Sequence, residues 1–346
     1  MATTIIDRPT LRGLPRWLGP VALLALAYGV VPLTASNYLF EAILTPFLAL
    51  SLAALGLNLL TGYAGQVSLG SAAFMAVGAF AAYNFNLRVD GLPFLGSIVA
   101  AGLVAAAIGI VFGLPSLRLR GFYLAVSTLA AQFFVQWALT KFSWFSNDSP
   151  SGVINTPPLR IAGMVLDGPV GRYLFSLTVV AVLTVVALRL VRSQAGRNFI
   201  AVRDNETAAR VIGVPVLRTK LLAFAVSSFI IGVAGALWAF AYLRTVEPAG
   251  FDLDRSFQIL FIIIIGGLAS IRGAFFGAAL IVVFPLALSR LGSFLLGDVF
   301  DSGVLDMSQR IVLGALIILF LILEPDGLVA LWDRVRRRLL LAWQSS

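Results

Sequence analysis

The residues of this sequence that are best suited to chemistry are uncharged hydrogen-bonding groups set among glycines. Residues 62–80 (GYAGQVSLGSAAFMAVGAF) and residues 266–279 (GGLASIRGAFFGAA) share this composition in the two halves of the chain. Unsatisfied backbone groups are costly in hydrocarbon, so a helix broken by glycine is tolerated only where protein or a wet cavity covers it. Paired interrupted segments indicate a solute path through a membrane protein. The predicted path residues in these segments are Gly65, Gln66, Ser68, Ser71, Gly266, Gly267 and Ser270.

A third set of polar residues recurs with helical spacing. Thr128, Gln132 and Gln136 are four residues apart within 121–140, so they face one side of a helix. Uncharged amides in a membrane helix are expected to face the bundle, where hydrogen-bond partners are available. We add these three residues to the predicted path. A second interpretation stays open for all the path residues, because small and polar residues also let membrane helices pack and hydrogen-bond without any ligand.

Catalytic chemistry is disfavoured by the residues that the sequence lacks. It contains no histidine and no cysteine, which removes the commonest general base and metal ligand as well as thiolate sites. An intramembrane enzyme would then need serine with lysine or paired aspartates, and the two lysines, Lys141 and Lys220, lie at the ends of predicted spans. We therefore do not expect an enzyme, and we expect no catalytic residues, metal or cofactor.

The elements that must hold the polar residues are apolar helices. The 346-residue chain is 60% hydrophobic and 12% charged, with a mean hydropathy of +0.97, whereas soluble domains are usually about 25% charged. Apolar runs of about 17–25 residues are long enough for a helix to cross about 30 Å of hydrocarbon. The sequence thus predicts an all-α polytopic membrane helix bundle in a single domain over 1–346. The ten predicted spans are 18–34, 39–60, 70–87, 94–114, 121–140, 172–191, 220–243, 257–270, 274–292 and 307–324.

Two of these spans are unusual. The eighth has about 14 apolar residues, which would extend roughly 21 Å as a helix, so we expect it to be tilted, broken or re-entrant. The first follows three arginines, as the apolar part of a signal peptide does. We favour an uncleaved first helix, because a protein with many spans needs no removable signal.

Lysine and arginine collect on one side of the predicted topology. With the N-terminus inside, the inner side receives the arginines before the first span, the cluster at 192–220 and the arginines at 334–338. Cytoplasmic loops are enriched in basic residues, so both termini are predicted to be cytoplasmic. We assign the net charge of +9 to these loops and to anionic lipid rather than to nucleic acid. The outer loop at 141–170 is predicted to be structured, either as a connector or as a platform for an extracytoplasmic partner.

A basic, helix-forming segment at 193–220 interrupts the apolar sequence. It predicts a helix of two to three turns, capped by Asp204 or Asn205 and ended by Gly213. A helix this short is marginal alone, so other contacts must hold it. In one interpretation the helix lies on lipid headgroups or packs on its own bundle. In the other it fits a groove in another protein and transmits movement. Its predicted apolar face consists of Ala208, Val211 and Ile212.

Several blocks of the sequence resemble one family of transport proteins. Residues 206–213 (ETAARVIG) look like the Glu-Ala-Ala…Gly loop of bacterial ABC importer permeases. The longer run AVRDNETAARVIGVPVLRTKLLAF at 201–224 closely resembles the branched-chain amino-acid ABC transporter permease family (LivM-type). The resemblance covers most of the chain. Its further blocks are LNLLTGYAGQVSLGSAAFMAVGAFAAY at 57–83, LPSLRLRGFYLAVSTLA at 114–130, IIGGLASIRGAFFGAAL at 264–280 and EPDGLVAL at 324–331.

The resemblance implies one of two membrane subunits of an importer in the bacterial inner membrane. Two separate ATPase subunits would power it, an extracytoplasmic binding protein would feed it, and the second permease would be a different chain. The sequence agrees in one respect, because it contains no GxxxxGK[ST] phosphate loop. The short helix would then be a coupling helix in a cleft of the ATPase. The coupling residues implied within the loop at about 193–219 are Arg203, Asp204, Asn205, Glu206, Ala209 and Gly213.

The substrate stays open between branched-chain or related hydrophobic amino acids and, within the same family, urea or short amides. Family members often carry an acidic residue shortly after the Tyr-Leu-Ala run, where this chain has only Gln132 and Gln136. The resemblance therefore supplies no fixed carboxylate for a substrate ammonium at these positions. An ATP-independent secondary transporter is a less favoured alternative, because ion-coupled carriers usually place ionisable groups within the membrane and these spans lack acidic pairs.

Overall fold

The architecture is given by a computed structural model. It describes residues 18–296, apart from 90, 120, 150–151 and 162–163, and also 311–312, 314–315, 318, 322 and 327–334. Within these residues the chain is almost entirely helical, which confirms the predicted all-α membrane bundle. Both ends of the chain, and most of the predicted span at 307–324, lie outside the described residues.

Eleven helices follow one another between residues 18 and 296 of the described chain. α1, α2 and α9 contain short π-helical stretches, and such a stretch forms the last turn of both α2 and α9. The helices are α1 (18–34), α2 (Asn37–Tyr63), α3 (Ser71–Arg88), α4 (Phe94–Gly113), α5 (Phe122–Lys141), α6 (Pro169–Arg192), α7 (Gln194–Asp204), α8 (Glu206–Val211), α9 (Val216–Leu243), α10 (Leu253–Gly266) and α11 (Ile271–Leu296).

Each of the first nine predicted spans coincides with one of these helices. In the part of the chain that the structure describes, six helices are long and apolar enough to cross a membrane: α2, α4, α5, α6, α9 and the first part of α11. The other three, α1, α3 and α10, are shorter or more polar. α10, which corresponds to the short eighth span, has 14 residues.

α2 and α9 form the centre of the bundle and are its most buried crossing helices. α9 packs along α4, α3 and α2, while α11, α6 and α10 also pack on α2. Small residues allow this close approach. At the contact between α3 and α9, a Cβ atom added to Gly78 would lie 2.0 Å from the carbonyl oxygen of Gly232, so the two backbones touch.

The bundle has two different ends. At one of them, which we call the β end, β1 (Ile154–Asn155) pairs with β4 (Thr245–Val246), and β2 (Arg160–Ile161) pairs with β3 (Met164–Val165), both antiparallel. The loop after α5 is thereby tied to the segment after α9. The other end, which we call the α8 end, carries α7 and α8 between the long helices α6 and α9.

Candidate functional site

Residues at both ends of the short helix α8 determine where it begins and ends. Asn205 is the N-cap, because its Oδ1 accepts a hydrogen bond from the backbone N–H of Ala208 at 3.0 Å. Gly213 adopts a φ of +85°, a conformation that favours glycine and ends the helix. α8 therefore has six residues, fewer than the two to three turns that the sequence predicts. The extended backbone of Asn205 separates it from α7.

Glu206 anchors α8 to the beginning of α9. Its Oε2 lies 3.1 Å from Nζ of Lys220, and its Oε1 lies 3.4 Å from Nη2 of Arg210. Lys220 is only 2% exposed, so its ion pair with Glu206 is shielded from water. Ala209 is also buried and packs against Val202. Two of the predicted coupling residues, Glu206 and Ala209, thus face the bundle and hold α8 on it.

The opposite face of α8 is open. Val211 and Ile212 are 83% and 74% exposed, and Ala208 beside them is exposed as well. Scattered exposed apolar residues need no explanation, but neighbouring ones that form a patch are candidates for an interaction surface. We call Ala208, Val211 and Ile212 the α8 tip.

Arg203 links α7 to the end of α2. Its Nη1 donates a hydrogen bond to the carbonyl oxygen of Gly62 at 3.0 Å, while its Nε donates to Oδ1 of Asp204 at 2.9 Å. Gly65 has a φ of +67°, and a Cβ atom there would lie 2.8 Å from Cγ of Arg203. A movement of α7 and α8 can therefore reach the glycine-rich break after α2 directly.

The break between α2 and α3 folds back into the bundle. Within residues 64–70, the backbone N–H of Leu69 donates to Oγ1 of Thr128 at 2.9 Å. Thr128 lies well inside α5 rather than at its beginning. The side chains of Gln66 and Ser68 bond to nearby backbone groups of the same segment, to the carbonyl of Ala64 and the N–H of Gly70 respectively. α3 consequently begins inside the bundle.

Gln132 joins the beginning of α3 to the segment before α10. Its Oε1 accepts from the N–H of Ala73 at 2.6 Å, and its Nε2 donates to the carbonyl of Phe251 at 2.8 Å. Oγ of Ser256 lies 3.2 Å from Gln132 Oε1 and accepts from the N–H of Ala72 at 2.9 Å. We call these five residues the Gln132 node. Because Gln132 lies near the middle of α5, α10 also begins inside the bundle.

The second glycine-rich break makes a different contact. Residues 267–270 separate α10 from α11, and Asn58 of α2 bonds to them. Asn58 Oδ1 accepts from the N–H of Ala269 at 2.9 Å, and its Nδ2 donates to the carbonyl of Ser270 at 2.7 Å. A Cβ atom at Gly62 would lie 2.4 Å from the nitrogen of Ala269. The second break therefore meets the end of α2 rather than the beginning of α3.

The predicted path residues fall into two groups. The first group lies near the beginning of α3, where the Oγ of Ser71 is buried and has no hydrogen-bond partner among the described residues. The second group, made up of Gly266, Gly267 and Ser270, lies near the end of α2. Gln136 is half-buried one turn beyond Gln132 and joins neither group through a side-chain hydrogen bond within the described chain.

Two connecting residues are not among the predicted path residues. Asn58 carries a signal in the sequence, because an amide inside an apolar helix requires a partner. Ser256 carries none, since a single serine near a helix end is common. Both act through contacts with distant parts of the chain, Asn58 with Ala269 and Ser270, and Ser256 with Gln132 and Ala72.

These features define the class of the protein. An all-α chain with several membrane-crossing helices, and with two helices that begin inside the bundle, is a polytopic membrane protein with the architecture of a transporter. The chain belongs to the family described as branched-chain amino acid transport system / permease component, whose sequence model matches residues 39–321.

Individual relatives agree with this membership. The high-affinity branched-chain amino acid transport system permease protein LivM of Salmonella typhimurium and that of Escherichia coli are each 31% identical to the chain over 298 residues, which cover 80% of this chain and 66% of the relative. The chain thus spans about two thirds of the length of these relatives. The probable ABC transporter permease protein y4mJ of Sinorhizobium fredii is 28% identical over 302 residues, or 83% of this chain and 85% of the relative. No solved structure matches the chain significantly.

Proposed function

We propose that this chain is the membrane-spanning permease subunit of an ATP-binding-cassette importer that moves branched-chain or related hydrophobic amino acids into the cytoplasm. The family and the names of the relatives support this function. The structural observation that carries it is the combination of an exposed α8 tip with buried anchors. α8 offers apolar side chains outward, while Glu206 and Arg203 connect it to α9 and to the end of α2.

The proposed partners are two ATPase subunits, a second and different permease chain, and an extracytoplasmic substrate-binding protein. ATP hydrolysis belongs to the ATPase subunits, because this chain contains no phosphate-binding loop of the GxxxxGK[ST] type. The complex lies in the bacterial inner membrane with both termini and the α8 end on the cytoplasmic side. The whole of 1–346 serves as one permease domain, with 193–219 as its coupling loop.

The proposed mechanism begins at the α8 tip, which fits a cleft between parts of the ATPase. Closure of the ATPase dimer moves α8, and the Glu206–Lys220 pair passes that movement to α9. The hydrogen bond from Arg203 to Gly62 passes it to the break between α2 and α3. Since α3 and α10 both begin at the Gln132 node, a shift of either helix changes access to the node. Gln66, Ser68, Ser71, Thr128, Gln132 and Gln136 are the proposed path residues near it.

Two other functions are alternatives to this one. A permease of the same family for urea or short amides uses the same coupling and differs only in what passes the node. An ATP-independent secondary transporter usually places ionisable carboxylates within the membrane. Among the described residues that are buried, the charged ones are Arg172 and Lys220, and no carboxylate is among them. The lack of buried carboxylates among the described residues favours transport driven by ATP over transport driven by an ion gradient.

Reconstitution tests the proposal. The chain is co-expressed with the ATPase, second-permease and binding-protein genes found beside it, and the complex is placed in proteoliposomes. We expect uptake of labelled leucine that requires ATP and the binding protein. Uptake driven by an ion gradient without the ATPase subunits would contradict the proposal, and uptake of urea in place of leucine would establish the alternative substrate.

A mutation at the α8 tip adds a second test of the same proposal. The double variant Val211→Asp, Ile212→Asp places two charges where an apolar contact is proposed, and we expect the ATPase subunits to co-purify poorly. Val153→Asp is the matched control, since Val153 is an exposed valine in the loop at the β end. Equal recovery of the ATPases with both variants would count against docking at α8.

A further inference from the structure

Two buried N–H donors lie together without an acceptor near the beginning of α10. The guanidinium carbon of Arg255 lies 4.2 Å from the ring centroid of Trp238 on α9. The Nε of Arg255 and the indole Nε1 of Trp238 are both shielded from solvent and have no hydrogen-bond partner among the described residues. Trp238 as a whole is only 3% exposed. Buried donors are nearly always paired, so two adjacent unpaired donors require an explanation.

The guanidinium of Arg255 also has no carboxylate in direct contact with it among the described residues. Its Nη1 donates to Oε1 of Gln258, and its backbone N–H donates to Oδ1 of Asp252 at 3.0 Å. Its guanidinium forms no ion pair with any carboxylate in the part of the chain that the structure describes. An arginine within the height of a membrane bundle is costly unless it is paired, and such residues usually mark a binding site or a pathway.

This pair of donors adjoins the Gln132 node. Arg255 precedes Ser256, which bonds to Gln132 and to the N–H of Ala72. The donors therefore lie where α10 begins, beside the node. In transporters the sites for anionic substrate groups are built at the beginnings of half-helices.

We infer that Arg255 and Trp238 form a recognition site for the carboxylate of an α-amino acid, an inference that rests on the proposed function. The planar guanidinium matches the two oxygens of a carboxylate, and the indole N–H supplies a further donor. Asp252 in the same helical turn supplies negative charge for the substrate ammonium. In this structure the two unpaired donors are closed off from solvent, so the site opens when α10 moves relative to α9.

The inferred site distinguishes amino acids from urea and short amides. Urea and short amides have no carboxylate, so they cannot form an ion pair with the guanidinium of Arg255. An α-amino acid brings a carboxylate that can pair directly with the guanidinium of Arg255, which no carboxylate of the described chain does. The site therefore favours an amino acid as the cargo of this permease.

The test uses the complete transporter in proteoliposomes with labelled leucine. Arg255→Gln removes the charge, and Trp238→Phe removes only the indole N–H and keeps a ring for stacking. We expect leucine uptake to fall at least tenfold with Arg255→Gln and about threefold with Trp238→Phe. Subunit assembly and the ATPase activity stimulated by the loaded binding protein are expected to stay within twofold of wild type. A purely structural arginine would lower assembly and ATPase activity together with uptake.

Arg88→Gln is the matched control. Arg88 also stacks on a tryptophan, with its guanidinium carbon 3.8 Å from the ring centroid of Trp144, but it is exposed and donates to the carbonyl of that residue. Its replacement should leave uptake unchanged. Leucine uptake within twofold of wild type in Arg255→Gln would overturn the inference while leaving the proposed function intact. Absence of any ATP-driven amino-acid uptake in the wild type would contradict the proposed function itself.

A variant that does not assemble is replaced by a milder one. If Arg255→Gln fails to assemble, Arg255→Lys keeps the charge but loses the fork of donors. Assembly of Arg255→Lys with uptake reduced at least threefold would support carboxylate recognition. Failure of this variant to assemble, or uptake at the wild-type level, would overturn it.

Discussion

Arg203 on α7 donates a hydrogen bond to the carbonyl oxygen of Gly62 at the end of α2, at 3.0 Å. The contact joins two parts of the chain that are 141 residues apart. It also places the basic segment of the sequence against its glycine-rich break. The proposed coupling and the proposed path are thus in direct contact, without an intervening element.

Replacing Arg203 should uncouple ATP hydrolysis from transport. Arg203→Ala removes the bond to Gly62 but leaves the α8 tip in place, so we expect the ATPase subunits to co-purify normally and leucine uptake to fall at least fivefold. The measurement is uptake per ATP hydrolysed in proteoliposomes. Arg197→Ala is the control, because Arg197 lies on the same helix and its described side-chain bonds go to Gln194 and to the carbonyl of Arg192. A similar loss in both variants would argue against a specific role for the bond to Gly62.

The shielded pair between Glu206 and Lys220 should respond to a charge swap. Glu206→Lys places two ammonium groups together, and breaking a buried pair costs about 3 kcal/mol or more. We expect α8 to detach and the ATPase subunits to co-purify poorly, while the membrane fold is retained. The double variant Glu206→Lys, Lys220→Glu should restore at least part of the co-purification. No difference between the single and double variants would show that this pair does not hold α8.

Replacing Gln132 should lower the Tm far more than replacing Gln136, although both are amides on the same helix. Gln132→Leu leaves the N–H of Ala73 and the carbonyl of Phe251 without their partner, and each unsatisfied buried group costs about 1–3 kcal/mol. Gln136→Leu removes no hydrogen bond that is made by a side chain in the described structure. We expect a clearly lower Tm of the purified protein for Gln132→Leu alone. Equal shifts in Tm for the two variants would contradict the role assigned to the node.

The positions of the helices follow from the sequence, and the contacts between them do not. The span predicted at 94–114 appears as Phe94–Gly113 because the length of an apolar run is set by the hydrocarbon that it must cross. The bond from Asn58 to the carbonyl of Ser270 joins residues that are 212 positions apart. It depends on how α2 packs against the second break, and local sequence carries no information about that packing.

Within the short helix α8 as well, the sequence predicts which residues share a face but not which distant residues they contact. Helical spacing places Ala208, Val211 and Ile212 on one face, and that face is exposed in the structure. Spacing alone does not indicate that Glu206 turns towards Lys220. That orientation depends on where α9 begins, after the chain has turned at Gly213.

The contact between α3 and α9 should tolerate no added atoms. Gly78→Ala would place a methyl group 2.0 Å from the carbonyl oxygen of Gly232, so the two backbones must separate. Overpacking of this kind costs about 1–3 kcal/mol, and we expect a lower Tm. Gly29→Ala is the control, because a Cβ atom at Gly29 meets nothing within 4 Å. An unchanged Tm for Gly78→Ala would mean that the two helices are less tightly packed than the structure indicates.

The central claim, that the α8 tip faces the cytoplasm and receives an ATPase, is tested most directly by labelling a single thiol. The chain has no cysteine, so Ile212→Cys creates one reactive site, and Val153→Cys creates one at the β end. An impermeant maleimide is applied to right-side-out and to inside-out membrane vesicles. We predict that Cys at position 212 reacts only in inside-out vesicles and is protected when the ATPase subunits are bound, while Cys at position 153 reacts only in right-side-out vesicles. Labelling of position 212 from the outer side of right-side-out vesicles would contradict the account.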